Sequence, residues 1–208
     1  EEKLIAHNLK ASKEQILDDL KGFMSPLQRR MLKELLQHLD ELNVHIENLN
    51  DEIDNFMKPE EKQASQMIQD VTGIGNTSAQ AIIAVIGTDM ERFPSDRHIS
   101  SWAGLCPGDN ISAKKRKGGK IRKGNALLKS TLVLCAHAAV RHKSSYFHAQ
   151  FKRISTHRGK KRAYVAVAHS ILIAIYHILK DGVKYQDLGA EYYNQFNAER
   201  KIHAYLKK

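Results

Sequence analysis

Residues 26–57 read PLQRRMLKELLQHLDELNVHIENLNDEIDNFM, and this stretch sets the helical character of the chain. Apolar side chains recur in it at alternating spacings of three and four residues. The series is Leu32, Leu35, Leu39, Leu42, Ile46, Leu49, Ile53 and Phe56. This spacing is a heptad repeat with mostly polar residues between its members. The stretch therefore predicts one amphipathic helix, roughly 45–50 Å long at the usual rise per residue.

Both ends of this helix are marked in the sequence. Ser25-Pro26 offers a hydroxyl cap followed by proline at the first helical position, and Lys58-Pro59 ends the helix. The apolar seam could pack on the chain's own domain or on a second subunit. A narrow stripe suits a partner helix better than a globular core, so the pattern favours a coiled-coil arm and a homo-oligomer, dimer or tetramer.

Short helices are predicted beyond Pro59. They cover residues 60–70, 77–86, 97–103, 126–142, 146–156 and 161–180. Residues 109–124 are too rich in Gly and Lys for a helix and predict a loop. No stretch alternates with period two over any length. The predicted fold is all-α, with a helical coiled-coil arm at residues 1–58 and a basic helical domain at 59–208.

Charge is distributed unevenly along the 208 residues, whose net charge is +10. Residues 110–180 hold seventeen Lys or Arg and no Asp or Glu. A folded domain normally mixes both signs, so this field suits a polyanion, and nucleic acid fits it best. Cys106 and Cys135 are the only cysteines, which indicates a reducing cytoplasm rather than a disulfide framework. The most apolar run, residues 163–179, contains two histidines and is too short to predict a membrane span.

The densest cations follow a hydroxyl, in the segment SAKKRKGGKIRKGN at residues 112–125. One interpretation is a solvated basic loop without chemistry. The other is a phosphate-binding loop whose glycines, Gly118, Gly119 and Gly124, let the backbone fold around an anion. Ser112 could then attack a phosphodiester while neighbouring cations stabilise the transition state.

Gly73 and Gly75 flank Ile74 between two predicted helices. Glycines there permit a tight turn and a close backbone approach, and the N–H groups of the next helix could receive a phosphate. The pattern is typical of a helix-hairpin-helix element, or of a simple helix–helix turn.

Other candidate residues carry weaker signals. Six histidines of residues 110–180 match no tight metal-ligand spacing, and we expect no metal site in this chain. His169 and His177 are expected in the core or between helices. Tyr146, Phe147 and Phe151 lie beside cations and could stack on bases, or could form an apolar helix face. Trp102 is expected to be a core anchor.

The ordered motifs of residues 60–180 resemble one family closely. They are GIG at 73–75, RFPSDRH at 92–98, SWAGLCP at 101–107, SAKKRKGG at 112–119 and KGNALLK at 123–129. Together they resemble the C-terminal transposase domain of the DEDD-plus-serine insertion-sequence transposases, relatives of the Piv DNA invertase. Some members of that family are guided by a structured bridge RNA.

The resemblance implies a DNA transposase or site-specific recombinase with Ser112 as the nucleophile, and Ser100 and Ser101 as fallbacks. It implies an N-terminal RuvC-like domain with four acidic ligands for Mg²⁺, absent from this chain, which then resembles a truncated piece with no cofactor of its own. The expected partners are DNA, a guide RNA where one is used, and further copies of the chain, in the bacterial cytoplasm at the nucleoid. The predicted nucleic-acid contacts are Gly73, Gly75, Lys114, Lys115, Arg116, Lys117, Arg122, Lys123, Asn125 and Lys129.

Two other functions fit the same residues. The chain could be a non-catalytic, dimeric helix-hairpin-helix-type module that clamps DNA or RNA. It could also be an interaction protein whose coiled coil is its main function and whose basic half docks to acidic partners.

Overall fold

A computed structural model of the protein describes residues 12, 14, 15, 18, 24–106, 111–112, 115–116 and 123–195, with the backbone alone at 111–112 and 115–116. The chain divides into two compact units, residues 1–53 and residues 54–208. Regular structure in the described residues is helical apart from one pair of two-residue strands, so the all-α prediction is confirmed.

Helix α1 spans Pro26–Phe56, one residue shorter than predicted. Its start is fixed by a reciprocal cap, because Ser25 N donates to Gln28 Oε1 at 2.8 Å and Gln28 N donates to Ser25 Oγ at 3.3 Å. None of its residues is buried, and the heptad side chains stay solvent-accessible. Leu35, for example, is 63% exposed.

The second unit contains the remaining elements. They are α2 (Pro59–Gln69), α3 (Asn76–Ile86), a 3-10 turn (Met90–Arg92), α4 (Asp96–Trp102), β1 (Ile111–Ser112), β2 (Lys115–Arg116), α5 (Ala126–Ala139), α6 (Tyr146–Arg158) and α7 (Lys160–Asp181). Residues 189–195 are also helical. Predicted and observed helices agree within three residues at every end. The largest difference is at α5, where the Ser145 amide donates to His142 O at 3.0 Å and turns the chain toward α6.

Helix α7 is the centre of the core. It packs against α2, α4, α5 and α6 and the 3-10 turn. Val167, Ile171 and Ile175 lie on its inner face and are fully buried. These contacts explain why α7 is long and apolar enough to meet the criteria for a membrane span, since a central core helix has the same composition.

A C-terminal segment is tied to this core by Asp187. One carboxylate oxygen accepts from Tyr146 N at 3.0 Å and from Gly189 N at 2.8 Å, and the other accepts from the Thr72 hydroxyl at 3.3 Å. The Ala190 amide donates to Ser144 O at 2.9 Å. The helical residues 189–195 are therefore held against the start of α6.

Candidate nucleic-acid interface

The basic loop, predicted at residues 109–124, starts and ends beside the last turn of α4. The Leu105 amide donates to Ser100 O at 3.1 Å, and Gly104 adopts a φ of +72°. At the other end, a Cβ on Gly124 would lie 2.4 Å from Gly104 N and 2.6 Å from Ala103 O. The backbone of Ala103 and Gly104, just after α4, thus leaves no room for a side chain at Gly124, and the predicted role of this glycine in folding the loop around an anion stays a prediction.

The paired strands place Ser112 at the tip of a short antiparallel ladder. Ile111 pairs with Arg116, and Ser112 pairs with Lys115. The two strands are separated by two residues in the sequence, so the predicted nucleophile lies directly opposite Lys115 in the backbone register. Lys114, Lys117 and Arg122 lie outside the described residues.

Three further predicted contacts follow the loop at the start of α5. Lys123 is exposed. Asn125 caps α5, because its Oδ1 accepts from Leu128 N at 2.9 Å. Lys129 is half-buried, and its amide donates to Asn125 O at 3.1 Å. Asn125 therefore has a structural role that explains its place in the motif, and its contact with nucleic acid stays a prediction.

The glycines between α2 and α3 differ in their surroundings. Gly73 has a φ of +95°, and a Cβ there would lie 2.5 Å from Cys135 O and 2.6 Å from Ala139 N. The close approach that Gly73 permits is therefore to α5. Gly75 is exposed, with no atom within 4 Å of the position a Cβ would take, and it precedes the first turn of α3. The open end of α3 is thus the part of this turn that a phosphate could reach.

Burial separates the candidate serines. Ser100 is completely buried within α4, so it cannot meet a phosphodiester in this conformation, whereas Ser101 is half-buried. The structure describes only the backbone of Ser112, so its role as the nucleophile stays a prediction, with Ser101 as the remaining fallback.

Histidine and cysteine meet where the loop leaves the core. His169 Nε2 on α7 lies 3.9 Å from Cys106 Sγ. Burial lowers the pKa of His169, and the charge of Asp96 opposes this shift in part. Within the described part of the chain, no three His, Cys, Asp or Glu side chains come together as a metal site would require.

Two expectations about single residues are wrong. Trp102 is 42% exposed rather than a core anchor, and its ring is tilted against Phe93 at 5.5 Å between centroids. α4 ends at Trp102, beside the surface where the loop begins. His177 lies on the exposed side of α7, where Nδ1 is 2.8 Å from the Asp181 carboxylate.

The aromatic residues of α6 pack inside the protein. Phe147 is buried, and Tyr146 contacts Tyr193 edge-on at 4.9 Å. Phe151 packs on Tyr164 of α7 at 4.5 Å. Of the two interpretations of this stretch, the apolar helix face is the one observed, and the neighbouring cations stay outside it.

Comparison with known proteins identifies the domain that carries this site. Residues 65–152, from α2 to α6, match the model of the Transposase IS116/IS110/IS902 family. The chain carries a transposase domain of the IS116/IS110/IS902 family. This confirms the resemblance found in the chained motifs.

Two relatives show how much of such a protein the chain covers. It is 32% identical over 108 residues to the transposase for insertion sequence element IS1111A of Coxiella burnetii, covering 50% of this chain and 29% of the relative. It is 28% identical over 131 residues to the IS110 insertion-element 43.6 kDa protein of Streptomyces coelicolor, covering 61% of this chain and 31% of the relative. The matched part of the chain thus spans about three tenths of the length of these relatives.

The sequence pattern missed one residue that organises the site. Asp187 holds the Thr72 turn, the start of α6 and the C-terminal segment together, although it lies 115 positions from Thr72. A single carboxylate in an otherwise ordinary loop carries no signal of that role.

Proposed function

We propose that this chain is the DNA-binding and serine-bearing part of an insertion-sequence transposase. The observation that carries the proposal is the family match, because residues 65–152 contain the Gly73–Gly75 turn, the Ser112 hairpin and the cations after it. A protein of this kind would act on DNA in the bacterial cytoplasm, at the nucleoid.

DNA binding would depend on the loop and on the open end of α3. The loop cations follow Ser112 directly and meet no acidic residue between positions 110 and 180. Exposed Lys123 and the amides after Gly75 would add contacts to phosphate. Such contacts fix the position of a duplex without reading its bases.

Ser112 would act as the nucleophile. Its Oγ would attack phosphorus, form a phosphoserine ester and lose its proton, while the bond from phosphorus to the leaving deoxyribose oxygen breaks and that oxygen is protonated. Lys115, paired with Ser112 in register, and the other loop cations would stabilise the negative charge of the transition state. Attack of a free DNA hydroxyl on the ester would release the serine and rejoin the strand.

The complete enzyme would require magnesium, bound outside this chain. The described residues offer no cluster of ligands for it. We place the acidic ligands in a RuvC-like domain, and a guide RNA would be a further partner where the element encodes one.

Helix α1 would join subunits. Its heptad residues are solvent-accessible, and no residue of the helix is buried. Pairing with α1 of a second copy would cover this seam as in other coiled coils.

A nicked suicide substrate tests the assignment. The complete transposase should form a covalent protein–DNA adduct, and Ser112→Ala should abolish it while duplex affinity changes by less than about threefold. Ser130→Ala is the matched control, because this exposed hydroxyl is bonded to Leu127 O within α5. An unchanged adduct yield in Ser112→Ala moves the nucleophile elsewhere. No adduct from the wild type favours the non-catalytic clamp.

A further inference from the structure

A concave basic site lies outside the Ser112 loop, between α6 and the helical residues 189–195. Its volume is about 410 Å³. Three cations line it, Lys143, Lys152 and Arg153, together with the polar side chains of Thr156 and Asn194. None of these residues is among the nucleic-acid contacts that the sequence predicts.

The walls of this site are held in place. Lys152 and Thr156 are one turn apart on α6, so they share a face of that helix. The opposite wall includes Ala190, whose amide is bonded to Ser144 O at 2.9 Å. Asp187 accepts from the amides on both sides of the groove, those of Tyr146 and Gly189. The cations therefore surround a formed groove rather than extend from a convex surface.

The chemistry of the groove favours an anion. No carboxylate lines it among the described residues, and no described carboxylate forms an ion pair with Lys143, Lys152 or Arg153. His148 also lines the groove, and its Nδ1 lies 2.7 Å from Val140 O, which fixes the ring. Several uncompensated positive charges in a concave site concentrate anions by electrostatic focusing.

The lining also indicates which anion. Proteins that hold single strands stack the bases on aromatic side chains. No Phe, Tyr or Trp is among the described residues that line this groove, because the aromatic rings of α6 pack inward. Cations with hydroxyl and amide donors, and no stacking surface, suit the phosphodiester backbone of a duplex.

We propose that this groove is a second DNA-backbone site, which binds duplex phosphates through Lys143, Lys152 and Arg153. The inference rests on the proposed function, since it assumes that DNA is the ligand. It adds a contact surface on α6 and the C-terminal segment to the loop after Ser112.

The test compares Lys152→Ala/Arg153→Ala with Arg92→Ala/Lys184→Ala in the full chain. Each variant loses one Lys and one Arg, and Arg92 and Lys184 are exposed residues outside the groove. Affinity for a duplex DNA of about 30 base pairs is measured between about 50 and 300 mM salt. Each lost phosphate contact should lower the salt slope by about one unit and weaken binding roughly eightfold near 0.1 M salt. The groove variant should therefore lose about two units of slope, and the control should lose less than half a unit.

The outcomes separate the two hypotheses. Thermal unfolding establishes that both variants fold as the wild type does. If the wild type binds duplex DNA and the groove variant behaves like its control, the groove site is refuted while the proposed function stands. If the wild type itself does not bind, the proposed function fails, and the inference fails with it. If only the affinity for single-stranded RNA falls in the groove variant, the groove holds RNA and the assignment to duplex DNA is overturned.

Discussion

Replacing Gly73 with alanine tests whether the turn before α3 is shaped by the protein interior. Gly73 has a φ of +95°, which disfavours any residue with a side chain by about 1–2 kcal/mol. The new Cβ would lie 2.5 Å from Cys135 O, 2.6 Å from Ala139 N and 2.7 Å from Ala139 Cβ. Two of these atoms belong to the backbone of α5, so the helix must shift, at an overpacking cost of about 1–3 kcal/mol. Gly73→Ala should therefore destabilise the domain by roughly 2–5 kcal/mol.

Gly75→Ala is the matched control, because it adds the same methyl group two residues away. Gly75 has φ −101° and ψ 174°, which alanine adopts without strain, and nothing lies within 4 Å of the new Cβ. Alanine is a poorer N-cap than glycine by about 0.5–1 kcal/mol. Alanine also lowers the conformational entropy of the unfolded chain, which stabilises the folded state by about 0.4–1 kcal/mol and offsets the poorer cap. The net change in the free energy of unfolding should stay within about 1 kcal/mol.

Urea and thermal unfolding of the full chain measure both changes. For a unit of this size, 1 kcal/mol corresponds to about 2–4 °C in Tm, so Gly73→Ala should lower Tm by roughly 5–20 °C. Gly75→Ala should shift Tm by no more than about 4 °C. Equal losses in the two variants, or a loss below about 1 kcal/mol for Gly73→Ala, would refute the packing explanation.

Two further predictions concern the helical arm and the core. Leu42→Gln should weaken self-association roughly 30-fold in sedimentation, because Leu42 is 47% exposed and burying that surface in a coiled coil would contribute about 1 kcal/mol per copy. Val44→Gln is the control, because Val44 is exposed but lies outside the heptad seam, and it should leave association unchanged. Equal effects of the two variants would contradict a coiled coil. Burial, chiefly, raises the pKa of Tyr185 to about 12, so the neutral ring contributes stability that is fully present below about pH 10 and is lost as pH rises toward 12. In urea unfolding across pH 9–12, Tyr185→Phe should reduce the fall of the free energy of unfolding with pH, and the control Tyr192→Phe should not. If Tyr185→Phe kept the wild-type dependence on pH, the assignment of this loss to Tyr185 would be contradicted.

Local sequence signals predicted the helices well because each signal acts within a few residues. Ser25 and Pro26 begin α1 as predicted, and Ser25 Oγ accepts from Gln28 N at 3.3 Å. Pro59 was predicted to end α1, which does end at Phe56, and it also takes the first position of α2, because proline suits the first turn of a helix. The fold class and most helix ends therefore needed no knowledge of tertiary contacts.

The candidate site was less predictable, because its glycines are explained by residues far away in the sequence. The pattern marks Gly73 and Gly124 as special, yet only the fold shows that Cys135 O and Ala103 O occupy the space beside them. The sequence pattern linked Gly73 to phosphate contact and Gly124 to an anion-binding loop, which stay predictions, whereas close packing explains why both residues must lack side chains. The groove on α6 was hidden for a similar reason, since residues 189–195 fold back onto it from more than 30 positions away.

The acid-free stretch has two physical causes, and only one of them points to a polyanion. Between Arg162 and Lys180, helix α7 is the core of the domain, and a buried helix excludes Asp and Glu whatever the protein binds. Lys180 donates to the Tyr176 hydroxyl at 2.8 Å at the edge of that core. The other sixteen cations all precede residue 163, where the described Lys and Arg side chains are exposed or half-buried and carboxylates would be tolerated. A polyanion partner explains why Asp and Glu are absent from this part of the chain. Residues 114–162 should therefore carry nearly all of the salt dependence of DNA binding.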